Sequence, residues 1–207
     1  MQQAIKVTKP NTNMMRTTLN QIYKRKLLSD EDWGKLLTHL GKSAPDDEPL
    51  PLLTALDALG LSATLLCLAA VNGHEKEKRL LAVSFARRVQ HLMKDPRSVA
   101  ALDVAERHAN GEATDEELAA ADSDAHGAAW DTEESASRAT ALGAAQAAAA
   151  WAANSAAMQF ASNAALYTAE WAESALAALS ARSASADPAS ERAAQEKILR
   201  EMLTTTN

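Results

Sequence analysis

The 207-residue chain predicts an all-α fold: a multi-helix bundle with long alanine-rich helices and a small N-terminal helical lobe. Three observations carry that expectation. Apolar residues make up 47% of the chain but aromatics only 4%, and alanine, the strongest helix former, supplies most of the apolar share. Helix-capping residues recur just ahead of apolar stripes spaced i, i+3, i+4, i+7. Runs of Val, Ile and Thr, which mark strands, are absent. A core built largely of alanine lets backbones approach closely. It also contributes less per residue than the ~1.5–3 kcal/mol of a buried Leu or Phe.

Residues 1–11 read as a loose basic leader, and Asn11 or Thr12 begins a first helix with Met15, Leu19, Ile22 and Tyr23 on one side. Ser29 caps a second helix, with Asp32 three residues on in a capping-box position. Trp33, Leu36, Leu37 and Leu40 form its stripe, and Gly41 stops it. Residues 41–51, GKSAPDDEPLP, form a linker of prolines and acids. The linker divides a basic helical hairpin, residues 1–45, from the main alanine-rich bundle, residues 46–207. Two short helices follow near 51–59 and 62–71, broken at Gly60, with Ser62 placed to cap the second. Asn72–Gly73 is a turn, and a long helix runs from about His74 to Met93.

Asp95–Pro96 opens another helix, Asp as cap and Pro as first helical residue, ending at Asn110–Gly111. Thr114 with Glu117 is a capping box that starts the alanine-rich half. The stretch from Leu118 to Ala181 divides into two or three helices, with Gly127, Gly143 and Asn154 as weak breakers. Asp187–Pro188 opens the last helix, which ends near Leu203. Trp130, Trp151 and Trp171 recur at near-constant spacing, one for each packed helical layer; the simpler reading is that each indole fills a gap between alanine-lined helices.

Charge is uneven. Residues 1–97 hold fifteen Lys/Arg and ten Asp/Glu, whereas residues 98–207 hold six and seventeen. Such asymmetry makes two surfaces with different electrostatic preferences: a solvated face that keeps the bundle soluble, or an acidic face that steers a basic partner. The acids Asp131, Glu133 and Glu134 sit beside Trp130, and these four residues are the candidate partner-binding set. The other acidic cluster, Asp115–Glu117, belongs to a first helical turn, where the helix dipole accounts for it. Basic residues cluster at Lys24, Arg25, Lys26 and at Lys76, Lys78, Arg79, Arg87, Arg88. Overall acidity argues against direct nucleic-acid binding, because phosphate contacts dominate that affinity.

No phosphate-binding loop, dinucleotide fingerprint, zinc-protease motif or nucleophile elbow is present, so neither a catalytic residue nor a cofactor is expected. His74, His91 and His108 could meet with Cys67 only if their helices pack antiparallel; ordinary surface histidines are the expectation, and no metal site. The single cysteine, Cys67, lies within an apolar stretch as a small hydrophobe; it permits no internal disulfide and suits a reducing compartment. The first ten residues lack the apolar core of a signal peptide, and the longest apolar run, near Leu61–Val71, is too short to span a bilayer. A cytoplasmic protein with no membrane partner is expected.

Residues 80–93, LLAVSFARRVQHLM, residues 99–121, VAALDVAERHANGEATDEELAAA, the long alanine-rich segment, and residues 191–203, ERAAQEKILREML, follow one another in order. In that order the chain resembles a family of helical bacterial and phage immunity proteins and related phage proteins, over roughly residues 50–203. The segment AERHANGEATDEEL is its most specific part. The resemblance implies an α-helical, non-enzymatic protein that neutralises a toxin or another effector by binding it. Two kinds of target fit: a toxin, or a nucleoprotein defence complex, as for an anti-CRISPR. The alternative is a structural, self-assembling helical protein, and a homo-oligomer is compatible with either.

Overall fold

The computed structural model describes residues 15–135, 141–158, 161–180 and 188–205. Among these residues it is all-α: ten α-helices, two short 3-10 turns and one two-residue strand pair. The helices are α1 (Leu19–Lys24), α2 (Asp30–Leu40), α3 (Leu52–Leu59), α4 (Leu61–Cys67), α5 (Glu75–Arg88), α6 (Pro96–Ala109), α7 (Asp115–Ser135), α8 (Ala141–Ala157), α9 (Ala161–Ser180) and α10 (Pro188–Thr205).

Local capping sets most boundaries in the first half. The Ser29 hydroxyl accepts the Asp32 N–H at 3.1 Å. Gly41, at φ +64°, closes α2: its N–H donates to the Thr38 carbonyl, and the Lys42 N–H reaches back to Leu37. That paired arrangement satisfies two of the last carbonyls and needs a residue at ease in the left-handed region. Asp95 caps α6 by accepting the Arg97 N–H at 2.8 Å, with Pro96 in the first helical position. Thr114 and Glu117 exchange hydrogen bonds at the start of α7, each side chain accepting the other's backbone N–H.

Elsewhere tertiary contacts override the local pattern. The N-terminal segment is extended at Arg16–Thr17, a two-residue strand β1 paired antiparallel with β2 (Leu50–Pro51), and α1 begins only at Leu19. Thr18 caps α1 by accepting the Gln21 N–H, and the buried Thr17 hydroxyl donates to the Ala70 carbonyl at 2.9 Å. Two adjacent β-branched threonines whose oxygens serve better as cap and anchor explain the late start. The expected start at Asn11 or Thr12 lies outside the described residues. Helix α4 starts at Leu61, one residue before expectation, because Leu61 is drawn into the core and Gly60 makes the break at φ +75°; Ser62 lies exposed inside the helix and caps nothing. Helix α5 ends at Arg88, short of Met93, and the chain continues through a 3-10 turn at Gln90–Leu92. That tighter winding eclipses i and i+3, so Val89 and Leu92 both stay buried.

In the alanine-rich half none of the three expected breakers breaks a helix. Gly127 lies inside α7, and Gly143 and Asn154 lie inside α8. Gly127 has a packing reason: a Cβ there would lie 3.3 Å from a guanidinium nitrogen of Arg97, which reaches over it to Asp131 at 2.6 Å. Asn154 spends its amide between helices, donating to the Asp122 carbonyl and carboxylate at 3.1 and 2.9 Å.

A single large core joins Met15, Leu19, Ile22 and Leu36 to Leu52, Leu56, Leu81 and Phe85, to the alanines of α8 and α9, and to Leu199 and Leu203 of α10. A smaller cluster at Val83, Ala101, Ala105, Leu118 and Ala125 seats α6 and α7. Helices α7, α8 and α9 lie side by side, and α5 packs across α8 and α9. Arg79 of α5 is buried and donates to the Ala156 and Met158 carbonyls at 3.2 and 2.7 Å, so its positive charge closes the C-terminal end of α8, where the helix dipole favours a cation. Arg88 Nε–H lies 2.7 Å from both oxygens of the buried Glu191, tying α5 to α10.

Candidate interaction face

Helix α7 begins this face. His126, Trp130 and Glu133 follow at i, i+4, i+7 and so share one stripe, with Glu134 one turn beyond Trp130. Trp130 is 61% exposed. For an indole in a folded chain that is a large apolar surface left in water, because a buried Trp is among the strongest contributors to a core. The expectation that each Trp fills an internal gap therefore fails at Trp130.

The next helix supplies Trp151. It is half-buried, with its ring edge-on to His126 at 5.3 Å between centroids. Its Nε1–H donates to the Glu133 carboxylate at 3.0 Å. On α9, Trp171 stacks against Trp151 at 6.0 Å and 25°, and Tyr167 lies one turn before it on the same helix stripe. Trp171 and Tyr167 remain 38% and 42% exposed. The result is an aromatic row across three neighbouring helices, flanked on α7 by Trp130.

Beside that row a groove of about 340 Å³ is lined by Ala119, Asp122, Ser123, His126, Asn154 and Met158. His126 belongs to both groove and row. Partial burial in this groove raises the Asp122 carboxyl above its usual range; the Asn154 hydrogen bond and the charges of His126 and Arg79 oppose that rise.

The electrostatics are one-sided. Helices α7, α8 and α9 carry ten carboxylates and no Lys or Arg. Some of these acids are paired from outside the three helices. Asp131 takes Arg97, Glu117 takes Arg107, and Glu173 takes Arg192. Asp124, Glu134 and Glu170 are exposed and have no ion pair among the described residues.

The four residues expected from the sequence thus play different parts. Trp130 and Glu134 are exposed, and Glu134 has no ion pair among the described residues; Asp131 is held by Arg97, and Glu133 accepts the Trp151 indole N–H. Sequence reading did not assemble His126, Tyr167, Trp151 and Trp171 with them. The near-constant Trp spacing was the available signal, since helices joined by short connections bring such positions level.

Of the clustered cations, Arg25, Lys78, Arg79, Arg87 and Arg88 have partners within the fold, while Lys24, Lys26 and Lys76 are exposed. Lys78 and Arg79 are buried on carbonyls, Arg87 pairs with Asp103 and Glu106, and Arg88 with Glu191. Arg25 donates to the Ala69 carbonyl. His74 at the N-cap of α5, His91 in the 3-10 turn and His108 in α6 do not form a metal-binding group: His74 faces Glu77 and His108 meets Asp115 at 2.8 Å. Among the described residues no group of three or more His, Cys, Asp or Glu is placed to hold a metal ion, and no helix is long and apolar enough to cross a membrane. Cys67 is fully buried, and burial pushes its thiol up to about 12, with the charge of Asp32 adding to the rise.

A second concavity, about 550 Å³, lies between α1 and α2 against the Tyr23–Trp33 pair. Its walls mix Lys26 with Asp30 and carry no single sign of charge. Comparison with protein families, with curated proteins and with solved structures finds no match for this chain.

Proposed function

We propose that this protein is a non-enzymatic, cytoplasmic inhibitor that binds a protein target in bacterial conflict, and that α7–α9 is the binding face. The target is a toxin, for an immunity protein, or a nucleoprotein defence complex, for a phage anti-defence protein of the anti-CRISPR kind. One observation carries the choice of face: Trp130, 61% exposed, stands next to an exposed aromatic row on three helices without a cation of their own. Exposed Trp amid polar groups is the usual anchor of an interface, and a field of one sign speeds encounter with a partner of the other. The sequence resemblance to helical immunity proteins supports the class of function, and the pairing of Lys78, Arg79, Arg87 and Arg88 within the chain supports a protein target over nucleic acid.

The test is affinity capture of the tagged protein from bacterial lysate, with the solution mass of what elutes. A single stoichiometric partner is expected. Trp130→Ala combined with Glu134→Lys is expected to weaken capture by at least roughly tenfold, the effect of losing one interface anchor, with unchanged helical circular dichroism. Undiminished capture by that variant defeats the choice of face. Elution alone, as a large homo-oligomer, defeats the inhibitor reading in favour of a self-assembling structural protein.

A further inference from the structure

We propose that the α7–α9 face receives an extended, arginine-bearing segment of its partner, with guanidinium groups lying on the exposed indoles and bridging to the neighbouring carboxylates. This rests on the reading of α7–α9 as the binding face and names the chemistry of what it binds.

The indoles come first. Trp151 and Trp171 are stacked on each other, so no ring of a ligand slides between them; what remains open is the outer surface of Trp171 and most of Trp130. A flat cation suits such a surface, because the ring face is the negative pole of the indole quadrupole. The carboxylates then choose the cation. Glu134 lies one helical turn from Trp130, and Glu170 directly precedes Trp171, both exposed and without an ion pair among the described residues. A planar guanidinium satisfies both demands at once, stacking with its face and donating in a fork from its edge. A lysine ammonium is compact and strongly hydrated, and does neither as well.

The shape of the face sets the form of the segment. Three helices side by side, with axes ~8–10 Å apart, make a surface roughly 20 Å across. An extended chain covers that with about six residues. The groove at Asp122, Ser123 and His126 continues the row at one side and gives such a strand a place to run on. Of the ten carboxylates on these helices only Glu117, Asp131 and Glu173 are paired, among the described residues, with arginines of α6 and α10; the excess negative charge disfavours a phosphate backbone, so the partner element is polypeptide.

The probes are two synthetic nonapeptides, one alternating Arg and Gly, the other Lys and Gly. Each is titrated into the full chain at physiological salt and followed by tryptophan fluorescence and calorimetry. The arginine peptide is expected to bind at least roughly fivefold tighter than the lysine peptide, the scale of a cation–π preference. Trp171→Ala is expected to remove that preference. Glu134→Gln with Glu170→Gln, two exposed positions that leave the fold intact, is expected to weaken the arginine peptide by a similar factor. Equal binding of the two peptides, or indifference of the arginine peptide to both variants, overturns the proposal. The lysate capture separates the two failures. If the Trp130→Ala, Glu134→Lys variant loses its partner while the peptides do not differ, the face stands and arginine recognition falls; if capture survives, the face itself falls.

Discussion

The two halves of this molecule place most of their large side chains in opposite ways, with Tyr23, 58% exposed, the exception in the first. From Met15 to Met93 the interior holds Phe85, Met15, Ile22 and seven or more leucines with almost no exposure. In α7–α9 most buried positions are alanines, among them Ala125, Ala149, Ala153, Ala165 and Ala172, with Leu118 the one large apolar residue buried there among the described residues, while Trp130, Tyr167 and Trp171 sit at the surface. The comparison teaches a division of labour. Large apolar residues in the first half supply most of the burial energy. The alanine helices add a close-packed layer whose bulky residues Trp130, Tyr167 and Trp171 stay at the surface.

That comparison can be broken first at Phe85. Its truncation, Phe85→Ala, is expected to cost about 3–5 kcal/mol, the range for a fully buried aromatic, measured by urea unfolding. Cys67 gives a second readout in the same core: with its thiol pushed up to about 12 it stays protonated and unreactive toward a disulfide reagent at pH 8, and labelling is expected to accelerate in the variant. The alanine layer is expected to fail in the other direction. Ala149→Leu, at a fully buried position of α8, adds volume where none is free and is expected to cost about 1–3 kcal/mol. An enlarging change that proves harmless there would mean the helices are not in close contact. A smaller effect sharpens the boundary between the halves: Thr114→Ala removes the acceptor of the Glu117 N–H at the start of α7 and is expected to cost ~1 kcal/mol. Hydrogen exchange should rise over the first turn, 115–118, and not in α8 or α9.

The same contrast explains what could be read from the sequence. Ser29, Gly41, Asp95 and Thr114 were legible because a cap is a local bargain between neighbours along the chain. The extended start at Arg16–Thr17 was not, because its partner is Leu50–Pro51 and its anchor is Ala70. The divisions of the alanine-rich half were illegible for a different reason. Alanine favours helix at every position, so a lone Gly127 or Asn154 is outvoted, and each proves to serve contacts between helices. On the α7–α9 face, Trp130 with its acids was visible as a local cluster. Its continuation through Trp151 and Trp171 depends on which helices lie side by side, which spacing alone suggested without fixing.

Helix α10 bears on how the chain is made. Leu199 and Leu203 complete the large core, Arg200 pairs with Asp57 across 143 residues, and Glu191 receives Arg88 across 103. During synthesis at ~5–20 residues per second, roughly 7–30 s separate Asp57 from its partner. Throughout that interval the part of the core that Leu199 and Leu203 complete stands uncovered. It is the period in which a nascent chain of this design depends on shielding from its neighbours, and in which a stalled ribosome would present an adhesive intermediate to the cell.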